Sequence, residues 1–251
     1  MTHITSPQNP RLKALKRLAT RRERERAGRF AAEGEDLVLA AAQAGRPPVE
    51  GYRVAGSEIG GAAFHDVEPT ALRAASTLGS GTRVIGVYEQ RWGPATGPLC
   101  VYLHGVGDPG NVGTIVRSAQ AFGASCVALG PGCADPYSPK AVRASMGAIF
   151  SVALARVGEL DELPRERVAL VADAPDTLRG LGGEGATRPL TLLVGAERDG
   201  LPAQVVSACE RSARIPIASE SLNAAMAATV ALYELTRGDE RALRSSRVRA
   251  R

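Results

Sequence analysis

From residue 99 onward, short apolar segments alternate with helix-like segments, and this pattern constrains the fold more than any other feature. The segments 99–103 and 190–194 contain no charged residue. Strands of this kind are buried on both faces, as in a parallel sheet covered by helices. The sequence therefore predicts an α/β fold with a mostly parallel sheet flanked by helices. The predicted strands are 99–103, 125–129, 151–156, 168–172, 190–194 and 213–217, and the predicted helices are 112–122, 139–146, 202–209 and 222–236.

A second, smaller α/β pattern precedes this region. Residues 9–29 are rich in arginine, and Leu12, Leu15 and Leu18 recur at helical spacing, which predicts a basic amphipathic helix. Further helices are predicted over 35–44 and 69–78, and strands over 30–34, 51–55 and 82–88. We therefore expect a small domain over 1–89, a Gly/Pro-rich linker over 90–98, a larger domain over 99–238 and a disordered basic tail over 239–251.

Positive charge is concentrated at the two ends of the chain. Residues 1–29 hold nine lysines and arginines against two glutamates, and residues 237–251 hold six arginines against two acidic residues. The net charge of the whole chain is +5, so the residues between the ends are net negative. Lys and Arg neutralise phosphates and release counterions, which favours a polyanionic partner. A solvated helix face with a frayed tail accounts for the charge equally well.

Several functional classes find no support in the composition. No window holds the roughly 18 consecutive apolar residues of a membrane helix, and the basic N-terminus lacks the apolar core of a signal peptide, so a cytoplasmic location is expected. The cysteines lack C-x-x-C spacing and are expected to be buried free thiols. The three histidines are scattered, and no metal site is expected. The cysteines are Cys100, Cys126, Cys133 and Cys209.

The first motif is a glycine-rich turn between a predicted strand and a predicted helix. It reads Gly105-x-Gly107-x-x-Gly110, which matches the dinucleotide-binding pattern. Asp108 places a carboxylate where a pyrophosphate would have to approach. The next strand ends at Gly130 without an acidic residue for the ribose hydroxyls. A cofactor other than NAD therefore has to be weighed.

Two further motifs follow strands near the end of the chain. Gly195-Ala-Glu197-Arg-Asp-Gly200 is a glycine-flanked turn holding a carboxylate, and its glycines permit close approach of backbone to a ligand. An ordinary strand–helix loop is the alternative. Ser221-Leu222-Asn223 precedes an alanine-rich helix, which Ser221 is expected to cap. A tightly packed buried helix is the alternative there.

The order of the three motifs resembles the SpoU/TrmH family of RNA ribose methyltransferases. The matching elements are Asn111-x-Gly-x-x-x-Arg117, Gly195-x-Glu197-x-x-Gly200-Leu201, and Ser221-Leu222-Asn223 before a small-residue helix. Residues 5–88 resemble the substrate-binding domain of the same family, especially around Phe30-Ala-Ala-Glu-Gly-Glu and Gly81-Thr-Arg-Val. The resemblance covers almost the whole chain.

The resemblance implies more about the fold than the strand pattern does. It implies that the sheet domain ends in a deep C-terminal trefoil knot, which general topology rules would exclude. A small α/β ribosomal-protein-like domain that binds RNA precedes it. The implied cofactor is S-adenosyl-L-methionine, held by backbone groups at Gly195, Ile215 and Leu222. The implied assembly is a homodimer whose active sites draw on both subunits.

The same resemblance assigns a catalytic centre. Arg117 matches the family's catalytic arginine, but a guanidinium with a pKa above about 12 rarely gives up a proton. Binding the target phosphate and stabilising a 2′-alkoxide is an equally good role. Glu197 is expected to fix Arg117 or polar substrate groups, and the asparagines to shape the loops. The full set is Arg117, Glu197, Ser221, Asn223 and Asn111.

The implied substrate is structured RNA, with 23S ribosomal RNA expected first and transfer RNA second. Methyl transfer from a sulfonium centre has a neutral leaving group, so it needs alignment and no metal. Two other functions stay open. The first is an NAD-dependent oxidoreductase, based on the glycine pattern. The second is a non-catalytic RNA-binding or assembly factor of the same fold.

Overall fold

The structure is a computed structural model that describes residues 3–61, 63–78, 81–179, 181, 189–219 and 221–237. Contacts divide the chain into two compact units. The first unit consists of Met1–Gln90 and Asp135–Phe150, and the second of Arg91–Ala134 and Ser151–Arg251. The tail predicted over 239–251 lies outside the described residues. Among the described residues, no helix has both the length and the apolar character needed to cross a membrane.

The two units are built from strands and helices in alternation. The strands are β1 (His3–Ile4), β2 (Arg29–Glu33), β3 (Glu50–Val54), β4 (Phe64–Val67), β5 (Val84–Glu89), β6 (Leu99–Leu103), β7 (Cys126–Leu129), β8 (Ala153–Arg156), β9 (Arg167–Leu170), β10 (Leu190–Val194) and β11 (Arg211–Ala213). The α-helices are α1 (Pro10–Arg17), α2 (Arg21–Ala27), α3 (Glu35–Gln43), α4 (Pro69–Ala75), α5 (Pro109–Ala121), α6 (Pro139–Ala144), α7 (Ala203–Ser207) and α8 (Ala224–Thr236).

The first unit contains a mixed five-stranded sheet in the order β1-β4-β3-β5-β2. The short strand β1 and the strand β4 are absent from the sequence prediction. Strand β4 reads Phe-His-Asp-Val, with two polar residues between its buried ends, so it lacks the continuous apolar signal of the other strands. Helices α1 and α4 cover one face of this sheet with their apolar side chains. Those side chains are Leu12, Leu15, Leu18, Ala71, Leu72 and Ala75.

The single helix predicted over 9–29 is wrong, because the chain turns between α1 and α2. Leu12, Leu15 and Leu18 are buried as expected. The end of α1 leaves backbone carbonyls without helical partners. Arg24 on α2 donates to the carbonyls of Leu18 and Ala19, each at 2.8 Å. A side chain of α2 thus provides hydrogen-bond donors for the carbonyl groups that follow α1.

The same guanidinium makes a buried ion pair inside the first unit. Arg24 donates to the Asp135 carboxylate at 2.7 and 2.9 Å, with side chains only 3% and 8% exposed. Aromatic rings also join Asp135–Phe150 to the strands of this unit. Phe30 contacts the rings of Tyr137 and Phe150, with centroids 4.7 and 5.8 Å apart.

The second unit contains a six-stranded sheet in the order β11-β9-β10-β6-β7-β8, and every pair is parallel. The predicted α/β class with a parallel sheet is confirmed. The strand predicted over 213–217 is wrong, because β11 ends at Ala213 and Pro216 has no N–H for a sheet. All four cysteines are free; Cys100 and Cys126 are buried, and the other two are half-buried. The implied trefoil knot stays a prediction.

The Arg24–Asp135 pair gives a stability prediction. Arg24→Ala is expected to lower the free energy of unfolding by about 3 kcal/mol, because it leaves the Asp135 carboxylate buried without its partner. The control is Arg21→Ala, which removes an exposed pair with Glu25 and should cost less than about 1 kcal/mol. Urea unfolding followed by fluorescence measures both. Equal losses would contradict the role given to the buried pair.

Candidate active site

A cavity of about 310 Å³ opens at the carboxyl ends of β9 and β10 in the second unit. Ligands of parallel sheets bind at this edge. The three residues predicted to bind a cofactor, Gly195, Ile215 and Leu222, all line the cavity, as do Glu197 and Ser221. Its other walls are formed by Leu170, Val171, Ala172, Val194, Ala196, Arg198, Asp199, Gly200, Ile217, Ala224 and Ala227.

The turn after β10 requires glycine at its first position. A Cβ placed on Gly195 would lie 2.2 Å from the carbonyl carbon of Gly200 and 2.4 Å from the nitrogen of Leu201. The turn closes through paired backbone hydrogen bonds between Ala196 and Gly200, at 3.0 and 3.2 Å. Gly200 itself has a positive φ of 65°. This closed turn brings Glu197 to the cavity wall.

Asn223, and not Ser221, caps helix α8. The Asn223 side chain accepts hydrogen bonds from the backbone N–H groups of Ala225 and Met226, at 2.9 and 3.3 Å. It stands directly before the first helical residue, whereas Ser221 lies two positions earlier. The cap expected at Ser221 is therefore wrong. The Ser221 side chain is left exposed at the cavity.

A chain of hydrogen bonds joins the three sequence motifs. The Asn223 amide donates to the Asn111 side-chain oxygen at 3.1 Å, and the Asn111 amide donates to the Glu197 carboxylate. Asn111 is itself fixed at the start of α5, because its backbone N–H donates to Asp108 at 3.0 Å. Residues more than 80 positions apart in the sequence thereby meet at the cavity.

Arg117 stands apart from this chain of hydrogen bonds. It lies on α5 with an exposed side chain, and no hydrogen bond or ion pair joins it to the part of the chain that the structure describes. Glu197 accepts a hydrogen bond from Asn111 and has no hydrogen bond or ion pair with Arg117. The structure therefore brings together four of the five predicted catalytic residues and leaves the fifth facing solvent.

Helices α5 and α8 hold Asn111 and Asn223 in position by packing together. Ser118 of α5 and Thr229 of α8 share a hydrogen bond of 2.6 Å between their hydroxyls. Further along, the rings of Phe122 and Tyr233 meet edge to face, with centroids 6.2 Å apart. Small residues on the buried side of α8 permit this close approach.

The glycine turn before α5 does not have the features of a dinucleotide site. The Asp108 carboxylate caps the N-terminus of α5, where a pyrophosphate would have to bind. Gly105 has a positive φ of 69°, and a Cβ there would lie 3.4 Å from the Cβ of Ala196. The turn therefore packs toward the Glu197 turn. No group of three or more His, Cys, Asp or Glu side chains suited to a metal occurs among the described residues.

Tyr102 of β6 contacts His104 at the start of the glycine turn that precedes α5. The sequence motifs did not predict a role for this residue. Its hydroxyl lies 3.1 Å from the Nδ1 atom of His104. Burial raises the pKa of Tyr102 to about 12, so the hydroxyl stays protonated at neutral pH. A Cβ at Gly130 would lie 2.1 Å from that hydroxyl oxygen, so this position also requires glycine.

Comparison with known proteins agrees with this architecture. The SpoU rRNA Methylase family model matches residues 98–233, and the MRM3-like substrate binding domain model matches residues 9–90. A Synechocystis protein named an uncharacterized tRNA/rRNA methyltransferase is 30% identical over 93% of both chains. The Bacillus subtilis 23S rRNA (guanosine(2553)-2′-O)-methyltransferase RlmP is 28% identical over 94% of this chain and 99% of its own.

Two solved structures are similar over nearly the full length. The AdoMet-bound rRNA methyltransferase from Sinorhizobium meliloti has a TM-score of 0.83 and 30% identity, covering 94% of this chain and 97% of its own. The SpoU methyltransferase AviRb from Streptomyces viridochromogenes, in complex with AdoMet, has a TM-score of 0.79 and 27% identity, covering 93% and 99%. The fold is that of these RNA methyltransferases. The chain belongs to the SpoU rRNA methylase family, and the resemblance found in the sequence is confirmed.

The Gly195 turn generates a second prediction. Gly195→Ala is expected to lower the free energy of unfolding by about 2 kcal/mol, because the added methyl overlaps backbone atoms that have no room to move. Gly107→Ala is the matched control in the first motif, where the nearest atom to an added Cβ is 3.9 Å away. Differential scanning calorimetry compares the two. A larger loss for Gly107→Ala would contradict the close packing described for Gly195.

Proposed function

We propose that this protein transfers a methyl group from S-adenosylmethionine to a ribose 2′-hydroxyl of 23S ribosomal RNA. The observation that carries the proposal is the chain of hydrogen bonds from Asn223 through Asn111 to Glu197, which joins the three motifs beside the cavity that Glu197 lines. The named relative from Bacillus subtilis methylates a 2′-oxygen of 23S rRNA, and two similar structures contain AdoMet. These likenesses support the choice of both substrates.

The cavity fits the proposed cofactor. Its walls combine aliphatic side chains, including Ile215 and Leu222, with exposed backbone at the Gly195 turn. This combination of apolar surface with a few polar backbone groups suits the adenosyl part of the molecule. Gly195, Ile215 and Leu222 would hold it. When bound, S-adenosylmethionine supplies a methyl group on a sulfonium centre.

The polar residues divide into two roles. Hydrogen bonds join the side chains of Asn111, Asn223 and Glu197. These bonds hold the two turns and the start of α8 in fixed positions around the cavity. Arg117 keeps a free, permanently charged guanidinium. That group suits binding of the target phosphate and stabilisation of negative charge on the 2′-oxygen during transfer. Ser221, exposed at the cavity, is available to polar groups of the substrates.

The proposal includes a homodimer whose active sites draw on both subunits. Three apolar side chains on the outer face of α8 are exposed: Met226 by 62%, Val230 by 43% and Tyr233 by 54%. Their spacing forms one stripe along the helix. Large exposed apolar side chains grouped in this way are typical of a protein interface. Arg117 lies on the neighbouring helix and makes no hydrogen bond or ion pair with the residues that the structure describes, as expected of a residue that acts in another subunit's site.

The first unit is proposed to select the RNA. Its helix α1 presents Lys13, Lys16 and Arg17 to solvent, and no ion pair joins them to the described residues. Cations of this kind contact phosphates and position an RNA without reading its sequence. The match to a substrate-binding domain model over residues 9–90 supports this assignment. A cytoplasmic location belongs to the same proposal, because ribosomal RNA is the substrate.

The role of Arg117 is tested by replacing it. Arg117→Ala is expected to lower methyl incorporation at least about 100-fold while leaving S-adenosylhomocysteine binding unchanged, because the guanidinium acts on the RNA and its developing charge. The assay follows tritiated methyl transfer to ribosomal RNA from a strain lacking the gene. Protection of one phosphodiester bond from alkaline cleavage identifies the 2′-O-methyl position.

The control for this assay is Arg143→Ala, which removes an arginine from α6 in the first unit and should retain wild-type incorporation. Equal incorporation by wild type and Arg117→Ala would remove Arg117 from the mechanism. Transfer only to tRNA would shift the substrate to tRNA. No transfer to any RNA, with RNA binding intact, would favour a binding or assembly factor.

The dimer is tested on α8. Val230→Glu is expected to convert a dimer into a monomer, because it places a charge in the apolar stripe. Leu39→Glu is the control, since Leu39 is a similarly exposed aliphatic residue (59%) of the first unit. Light scattering after size exclusion measures the mass of each variant. A dimer that persists in Val230→Glu would place the interface elsewhere.

A further inference from the structure

A second cavity, also of about 310 Å³, lies within the first unit, beside the Gly81-Thr-Arg stretch that resembles the family's substrate-binding domain. It opens between the end of β3, the start of α4 and the residues before β5. Apolar side chains form part of its wall, and two arginines and two hydroxyls form the rest. Its lining residues are Val54, Pro69, Leu78, Arg73, Arg83, Ser76, Thr82 and Gly81.

A buried carboxylate fixes the wall of this cavity. Glu33, which is 8% exposed, accepts hydrogen bonds from the Ser76 hydroxyl at 2.6 Å and from the backbone and hydroxyl of Thr77 at 2.8 and 2.6 Å. The Thr82 hydroxyl adds a longer contact of 3.4 Å. One side chain of β2 therefore holds both described ends of the segment between α4 and β5. A ligand that binds here meets a preorganised wall, which lowers the entropic cost of binding.

The charge at the cavity suits an anion. Arg73 is exposed, and no hydrogen bond or ion pair joins its side chain to any residue that the structure describes. Arg83 forms an ion pair with Glu35 at 2.6 Å, but its side chain is 69% exposed. A planar guanidinium binds phosphate oxygens in a bidentate manner. Arg73, unpaired among the described residues, and Arg83, in an exposed ion pair, are therefore both able to contact a phosphate group.

Helix α4, which lines the cavity with Pro69 and Arg73, packs against the basic helix α1. Helices α1 and α4 contact each other and cover the same face of the sheet. The outer side of α1 carries Lys13, Lys16 and Arg17, and α4 carries Arg73. The exposed cations of α1 therefore lie one helix away from Arg73 at the cavity.

We propose that this cavity binds one unpaired nucleotide of the RNA substrate. Arg73 and Arg83 contact its phosphate, and its base lies against Val54, Pro69 and Leu78. The cations of α1 contact the flanking phosphates. A paired base in an RNA helix is stacked and has no access to such a cavity, whereas the bases of loops and bulges are free to enter it. The inference rests on the proposed function and adds selection of single-stranded over double-stranded RNA.

The test compares the affinity of the full chain for a fluorescein-labelled single-stranded RNA and for a duplex of equal length, by fluorescence anisotropy. Arg73→Ala is expected to weaken binding of the single strand about tenfold and that of the duplex about twofold or less. Arg73→Lys should lie between wild type and Arg73→Ala, because it keeps the charge and loses the bidentate geometry. Equal melting temperatures of the variants exclude unfolding as the cause.

Arg29→Ala is the matched control. The Arg29 side chain is also exposed and makes no hydrogen bond or ion pair with a described residue. Arg29 lies opposite Glu89 in the sheet, at the end of β5 away from the cavity. Arg29→Ala should weaken the binding of both RNAs equally and by no more than about twofold. Equal effects of Arg73→Ala on the two RNAs, or equal effects of Arg73→Ala and Arg29→Ala, would overturn the proposal.

Two further measurements separate the possible failures. Adenosine monophosphate is added as a competitor of the labelled single-stranded RNA. If it displaces the Arg73-dependent part of binding at a concentration comparable to that of the RNA, the cavity binds a free nucleotide and the proposal is overturned. Methyl transfer to ribosomal RNA is measured in the same preparations. Transfer by wild type, together with no selective effect of Arg73→Ala, refutes the cavity proposal alone. Absence of both transfer and RNA binding refutes the proposed function and the inference that rests on it.

Discussion

The hydrogen bonds that run from Asn223 to Asn111 and from Asn111 to Glu197 are the constraint on which the active site depends. Each residue belongs to a different motif, and each is fixed locally before it meets the others. Asn223 caps α8, Asn111 is held at the start of α5 by Asp108, and Glu197 stands in a turn that Gly195 and Gly200 close. Local structure thus positions three polar side chains that then satisfy one another.

This arrangement leaves the charges of the site unevenly distributed. The carboxylate of Glu197 accepts a hydrogen bond from a neutral amide, while the guanidinium of Arg117 stays in solvent on the outer part of α5. A neutralised Arg117 would be poorly placed to act on a phosphate. Because an asparagine is the partner of Glu197, the guanidinium of Arg117 stays available for the phosphate contact proposed for it.

The larger unit could be predicted well from sequence because its strands are buried on both faces. Strands β6 and β10 have the bounds that the apolar runs indicated. Errors arose where the chain changes direction in ways that the hydrophobic pattern does not report. The turn between α1 and α2 depends on Arg24, and β11 ends early because the chain leaves the sheet at Arg214–Pro216 to line the cavity.

The site was predictable to a similar degree. Five predicted site residues line the cavity: Gly195, Glu197, Ile215, Ser221 and Leu222. The choice between Ser221 and Asn223 as the cap of α8 depends on backbone geometry that a sequence does not contain. The cavity of the first unit was not predicted, although Glu33 and Gly81–Arg83 belong to the two stretches that carry the resemblance to a substrate-binding domain. Its wall is held by Glu33, whose contacts lie more than 40 residues away in sequence.

The placement of Asp135–Phe150 in the first unit has a consequence for synthesis on the ribosome. The rings of Tyr137 and Phe150 complete the aromatic cluster around Phe30, and Asp135 completes the ion pair of Arg24. A chain that emerges from its N-terminus has made strands β6 and β7 before these partners appear. The first unit is therefore finished only after two of the six strands of the larger sheet have been synthesised, so its folding during translation is not independent of the domain that follows it.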